Sequence, residues 1–233
     1  MAIEITKFPA LEYSATEAFN TLCTNLSFFG INQNCIMVTS CVPNEGKTFV
    51  AMNLMRSLTK LGKTVTLIDA DLRKSVIQER YEMVISEDAK HGLAHYLAGM
   101  CDMEDVVQRT NLSGAYFVPV GVRASNSLTL LNSGRISELI ERLSQSCDYV
   151  IVDAPPVGTV IDAAEIAKSC TGTLFVVKEN EIRRRMLREA KLQIARAGCE
   201  VLGAVMNQVE FGSYANKKYY KRGYYYSRYE KKK

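Results

Sequence analysis

The sequence predicts an α/β protein built on a doubly wound, mainly parallel sheet flanked by helices, with a tyrosine-rich tail that its core does not need. Three observations lead there. Six short runs rich in β-branched and apolar residues show no polar–apolar alternation: Cys35–Thr39, Thr64–Ile68, Tyr116–Val120, Tyr149–Val152, Thr173–Val177 and Val201–Met206. Strands buried on both faces read this way, as in a parallel sheet covered by helices. Helix-like stretches alternate with them at Gly46–Leu61, Leu128–Gln145, Asp162–Lys168 and Glu181–Ala197, and β–α alternation defines the class. Finally, 47% apolar and 23% charged residues in 233 suffice for a full core and exclude global disorder.

The two ends differ from this body. Ala15–Phe28 predicts a helix, with Ala18, Leu22 and Leu26 at i, i+4, i+8 as its apolar face. Beyond the last strand, aliphatic residues almost vanish. Residues 212–233 are expected to be a tail without a core, mobile when unbound, after a domain over 1–211 whose N-terminal helix region is 1–30. The tail holds six Lys and two Arg against one Glu, a net +7, which leaves the rest of the chain at −3.

Composition also excludes some functions. No run of about 18 uninterrupted apolar residues occurs, so no membrane span is expected. The opening MAIEITKFPA lacks a basic-then-apolar signal pattern. Seven scattered Cys, odd in number and without a C-x-x-C pair, predict reduced thiols in a cytosol. His91 and His95 stand i, i+4 on an expected helix with no Cys or His partner at ligand spacing, so they are read as solvent-facing polar positions rather than a metal site.

The motifs carry the chemistry. Residues 36–48 read IMVTSCVPNEGKT, a β-rich run followed by Gly46-Lys47-Thr48 at a helix start. In a phosphate-binding loop of this kind, backbone N–H groups cradle phosphates, Lys47 reaches the β/γ-phosphates and the Thr48 hydroxyl ligates Mg²⁺. The loop is Pro43-Asn44-Glu45-Gly46-Lys47-Thr48, and the usual first Gly is Cys41. At the end of the next strand, Asp69 and Asp71 share a strand face. Two carboxylates there repel one another unless a hard divalent cation joins them; the bland reading is a loop pair capping the next helix. The run Tyr149–Val152 ends in Asp153-Ala154-Pro155-Pro156, a second strand delivering a carboxylate for Mg²⁺.

In the tail, Tyr214, Tyr219, Tyr220, Tyr224, Tyr225, Tyr226 and Tyr229 fall within sixteen residues. Bases interleaved with aromatics fit single-stranded nucleic acid by stacking. With a nucleotide loop in the same chain, phosphoryl acceptors are the better reading: each phosphate adds roughly −1.5 to −2, so about four cancel the tail's charge. No nucleic-acid partner is expected.

Phosphate loop, Asp-x-Asp strand, Asp-x-Pro-Pro strand and tyrosine tail together resemble the bacterial tyrosine kinases of capsule and exopolysaccharide synthesis, P-loop NTPases of the MinD/ParA-like superfamily. The likeness also rests on Glu17-Ala18-Phe19, Thr24-Asn25-Leu26, Leu67–Arg73 and Gly203-Ala204-Val205-Met206-Asn207. MinD/ParA relatives have a second lysine in the loop, absent here, and lack the tail. The resemblance implies an ATP- and Mg²⁺-dependent autokinase acting in trans on its tail. Pro43 to Phe49 and Asn207 would bind nucleotide, with Asn207 on adenine. Thr48, Asp69, Asp71 and Asp153 would hold metal. Lys47 would stabilise the transferring group, and Asp69 or Asp71 would take the tyrosine proton. It implies a cytoplasmic protein brought to the inner membrane face by a separate transmembrane activator of the polysaccharide co-polymerase type, self-association through the N-terminal helix and tail, and a cognate tyrosine phosphatase. Three departures stand out. Asn44 replaces a Gly, at a position where φ > 0 favours Asn over most residues. Asn20 and Cys23 replace the two arginines of a subunit-binding Glu-x-x-Arg-x-x-Arg. Arg123-Ala124-Ser125-Asn126 replaces a Pro-rich stretch. An ATP-switched binding protein of the MinD/ParA kind and a weakly active kinase-like scaffold remain as alternatives.

Overall fold

The computed structural model describes residues 2–30 and 33–209; the tail and its seven tyrosines lie outside them. The strands are β1 Ile3–Ile5, β2 Cys35–Ser40, β3 Val65–Asp69, β4 Met83–Ile85, β5 Gln108–Arg109, β6 Ala115–Val118, β7 Tyr149–Asp153, β8 Gly172–Lys178 and β9 Glu200–Asn207. The helices are α1 Tyr13–Ser27, α2 Lys47–Lys60, α3 Ile77–Arg80, α4 Leu93–Leu97, α5 Met103–Val106, α6 Ser127–Leu131, α7 Arg135–Ser146, α8 Asp162–Ala167 and α9 Arg184–Arg196.

Seven strands form one sheet in the order β5-β6-β3-β7-β2-β8-β9, parallel except for the antiparallel edge β5. The central strands are buried on both sides, which is why they lack alternation. Their residues still alternate between two cores. Cys35 and Met37 of β2 face one, with Val150, Val152, Phe175 and the inner faces of α7, α8 and α9. Ile36 and Val38 face the other, with Leu67, Ile151, Leu174 and the inner faces of α1 and α2. The chain leaves β2 for β3 on one side and later crosses to β8 on the other, so β2 ends at the switch point where such sheets bind ligands.

Four expectations are corrected. The α1 stripe is Phe19, Cys23 and Leu26, whereas Ala18 is exposed: the i, i+4, i+7 set containing the aromatic ring buries more surface than one through Ala18. The stretch Leu128–Gln145 is two helices, α6 and α7, because Gly134 sits in a left-handed turn at φ 78°. His91 precedes α4 rather than lying on it; His95 is half-buried, and its Nδ1 accepts the Gly92 N–H at 3.1 Å. A second small sheet, β1 paired antiparallel with β4, was not expected, since three-residue strands leave no periodicity to read.

Candidate nucleotide site

Residues 41–46 leave β2, turn sharply and start α2. Two left-handed residues make the turn, Asn44 at φ 69° and Gly46 at φ 93°. Asn tolerates that region, which accounts for its standing in place of Gly. Glu45 shapes the loop from inside. It is wholly buried, and its Oε2 accepts the N–H groups of Cys41 at 2.7 Å and Val42 at 2.9 Å. Its Oε1 accepts the Lys178 N–H at 3.2 Å, tying the loop to the end of β8. From β9, Asn207 donates Nδ2 to the Glu45 carbonyl at 2.9 Å, and Gln208 donates Nε2 to the Asn44 carbonyl at 3.3 Å. A Cβ on Gly46 would fall 2.0 Å from the Asn207 amide nitrogen, so only glycine permits this closure. The first N–H groups of α2 follow, without intrahelical acceptors and aimed at the loop's mouth.

Three carboxylates meet the loop. Asp69 and Asp153 end adjacent parallel strands as register partners. Thr48 donates its hydroxyl to Asp153 Oδ2 at 2.7 Å. Lys47 donates Nζ to Asp71 Oδ2 at 3.1 Å and stands 3.8 Å from Asp153 Oδ1. Asp71 Oδ1 accepts the Lys74 N–H at 3.0 Å. Ser75 donates its hydroxyl to Asp69 Oδ2. Asp69 Oδ1 and Asp153 Oδ1 are buried with no hydrogen-bond partner among the described residues. Buried oxygens of this kind cost roughly 1–3 kcal/mol each, more when charged.

The electrostatics follow. Burial, then the Asp153 charge, push Asp69 from 3.8 up to about 8, against the Ser75 hydrogen bond and Lys47. Burial also raises Asp153, outweighing Lys47 and Thr48. Burial works against the Lys47 charge, but Asp153 and Asp71 overcome it and hold the ammonium above its ordinary value. One cation is thus shared among three carboxylates. Two orphaned hard oxygens beside a threonine hydroxyl form a donor set that suits Mg²⁺.

The structure therefore gathers Lys47, Thr48, Asp69, Asp71, Asp153 and Asn207 around one loop. Pro43 and Asn44 lie exposed on its rim. The Phe49 ring turns away, 6.2 Å from that of Phe19, and joins α2 to α1. Ser75 was missed in the sequence because no motif spacing marks it. So was a brace behind the site, where Arg73 donates to Asp162 at 2.9 and 3.3 Å and Ser127 donates to the same carboxylate at 2.6 Å. Asp162 is 1% exposed, although its place at a helix start reads as an ordinary cap.

This fold and loop define a P-loop nucleotide-binding protein, and an AAA domain family matches residues 36–181. The chain is 35% identical over 205 residues to the tyrosine-protein kinase CpsD of Streptococcus agalactiae, covering 86% of this chain and 88% of that one. With the CpsD of Streptococcus pneumoniae it shares 36% over 196 residues, 84% and 85% of the two chains. The kinase domain of the Escherichia coli tyrosine kinase ETK superposes with a TM-score of 0.77 at 30% identity, over 86% of this chain and 79% of that one. The chain belongs to the bacterial tyrosine kinase family of capsule and exopolysaccharide synthesis.

Proposed function

We propose that this protein is an ATP-dependent protein-tyrosine kinase that phosphorylates the tyrosine cluster of its tail, one copy acting on another, and so regulates capsular or exopolysaccharide synthesis and export. One observation carries the reading: Lys47 sits between Asp71 and Asp153, while a buried oxygen of Asp69 and one of Asp153 have no hydrogen-bond partner among the described residues. Carboxylates left uncompensated beside a phosphate loop suit metal-assisted phosphoryl transfer.

The residues act as follows. Backbone N–H groups of 44–48 cradle the phosphates, and the α2 N-terminus adds its positive end. Lys47 leaves Asp71 for the β/γ-phosphates and steadies the charge of the group in flight. Thr48, Asp69, Asp71 and Asp153 would hold Mg²⁺, which when bound neutralises phosphate charge. A carboxylate of the Asp69/Asp71 pair takes the proton of the incoming tyrosine hydroxyl. Asn207, already fastened to the loop, lies beside the bound nucleotide and contacts adenine. No helix among the described residues is long and apolar enough to cross a membrane. A separate transmembrane activator recruits the protein to the inner membrane face and completes the site, the two copies associate through α1 and the tail, and a phosphatase resets the tyrosines.

The test is Lys47→Met in a host without other tyrosine kinases. We expect phosphotyrosine to vanish from the tail with circular dichroism unchanged. Persistent phosphotyrosine refutes the reading, and ATP hydrolysis by the native chain without any tyrosine phosphate favours an ATP-switched binding protein instead.

A further inference from the structure

The turn entering α4 and the turn entering α5 bring together three side chains that the nucleotide site does not use. Nitrogen of His91, sulfur of Cys101 and a carboxylate oxygen of Asp105 all lie within 4.8 Å of one another. Ten and four residues separate them in the chain, so ligand spacing does not betray them; the fold does.

The backbone that carries them is pinned on both sides. Next to His91, Leu93 and Ala94 donate their N–H groups to Pro119 and Val120 at 2.7 and 3.0 Å, just beyond the end of β6. Gly92 lies so close to that segment that a Cβ on it would fall 2.4 Å from the Gly121 nitrogen. On the other side, Arg135 lies over the Tyr96 ring, 4.3 Å from its centroid, and donates Nε to the Tyr96 carbonyl at 2.7 Å and Nη2 to the Cys101 carbonyl at 3.3 Å. Asp105 accepts the Asp102 N–H at 3.0 Å through Oδ2, which orients the carboxylate and leaves it further acceptor capacity. His95 lies edge-on to His91, ring centroids 5.4 Å apart, while its Nδ1 is engaged by Gly92. With that nitrogen engaged, His95 is left out of the ligand set.

We propose that His91, Cys101 and Asp105 form a surface site for a borderline divalent transition metal of the zinc class, with the fourth position open to water or an external ligand. Nitrogen, sulfur and oxygen donors are the set zinc takes, and three protein ligands with one open position is a recurrent arrangement. Bonds of about 2.0–2.3 Å place tetrahedral ligands roughly 3.3–3.8 Å apart, so from separations within 4.8 Å the trio has to close by at most about 1–1.5 Å. His91 is exposed and free to make that rotation. Binding forms a metal–thiolate bond and releases the Cys101 proton to solvent, so affinity rises with pH.

The experiment uses the full chain, metal-free, saturated with Mg·ATP and titrated with Co²⁺. The metal-holding groups of the nucleotide site are hydroxyl and carboxylate oxygens, so sulfur-to-cobalt charge transfer reports a cysteine ligand, and the substitutions say which. We expect that absorption to saturate at one cobalt per chain, to disappear in Cys101→Ser, to need more than about tenfold more metal in His91→Ala, and to persist in Cys147→Ser. Cys147, the other half-buried thiol, is the internal control. We also expect Zn²⁺ to slow alkylation of Cys101 by more than about tenfold while leaving Cys147 unprotected. Absence of the absorption, its survival in Cys101→Ser, or alkylation of Cys101 indifferent to Zn²⁺ overturns the proposal.

Discussion

Replacing Asp69 by Asn removes an ionisable carboxyl from a place where its charged form is disfavoured. Asp69 is 2% exposed, one of its oxygens has no partner among the described residues, and it titrates at about 8 in the folded chain against an ordinary 3.8. A carboxyl whose folded pKa lies above its unfolded one stabilises the fold fully only below the unfolded value, and that contribution is lost as pH rises. The metal-free protein should therefore lose stability between pH 4 and pH 8 and level off above that window. At about 1.4 kcal/mol per pKa unit, the cost near pH 7 reaches about 4 kcal/mol at most. Since Lys47 and Asp153 readjust when the charge goes, we expect metal-free Asp69→Asn to exceed the native chain by about 2 kcal/mol at pH 7. Urea unfolding at pH 5, 6, 7 and 8, with and without Mg·ADP, measures this. The native chain should recover the difference when Mg·ADP binds, and the variant should recover little and lose its phosphotyrosine. A metal-free variant less stable than the native chain, or a native stability flat from pH 5 to 8, refutes the argument.

Glu45→Ala strips the acceptor from three backbone N–H groups, and at roughly 1–3 kcal/mol per buried orphan we expect a loss of about 3 kcal/mol, read as a lower urea midpoint at constant m-value. Gly46→Ala forces a Cβ into the Asn207 amide at positive φ, so nucleotide affinity should fall about tenfold and stability by about 1–2 kcal/mol, measured by fluorescent-nucleotide titration and thermal melting. Introducing the two arginines that the resemblance implies separates two positions: Asn20→Arg, exposed, should change stability by less than about 0.5 kcal/mol, whereas Cys23→Arg drives a charge into a site 3% exposed and should cost about 3 kcal/mol or more in the same assay.

What the sequence disclosed follows from where the physics is local. A strand buried on both faces needs an unbroken apolar run, so β2, β3, β7 and β8 were legible to within a residue or two. Asp69 and Asp153 stand out because each ends such a run, Asp71 because it lies two residues past Asp69, and Lys47 because Gly46-Lys47-Thr48 opens the helix after β2. Other features depend on partners distant in sequence. β1 becomes a strand only by meeting β4, whose nearest partner residue is 78 positions further on. Glu45 is expected only as one residue of the nucleotide loop; its burial beneath that loop requires Lys178 to arrive from another strand. Cys23 stands where the resemblance implies an arginine, yet burial pushes its thiol up to about 11, the behaviour of a core residue. Ser75 and Asp162 carry ordinary side chains whose roles are set by what the sheet brings opposite them.

The latch of Asn207 and Gln208 on the phosphate loop fixes where the remaining chain takes root. A polypeptide spans at most about 3.6 Å per residue, so counted from Val209 a leash to Tyr214 is under about 20 Å and one to Tyr229 is about 70 Å. The tail tyrosines are thus graded by the longest tether each can have from that latch. In the function proposed above, the outer tyrosines have tether enough for a second copy and the inner ones reach little beyond the latch.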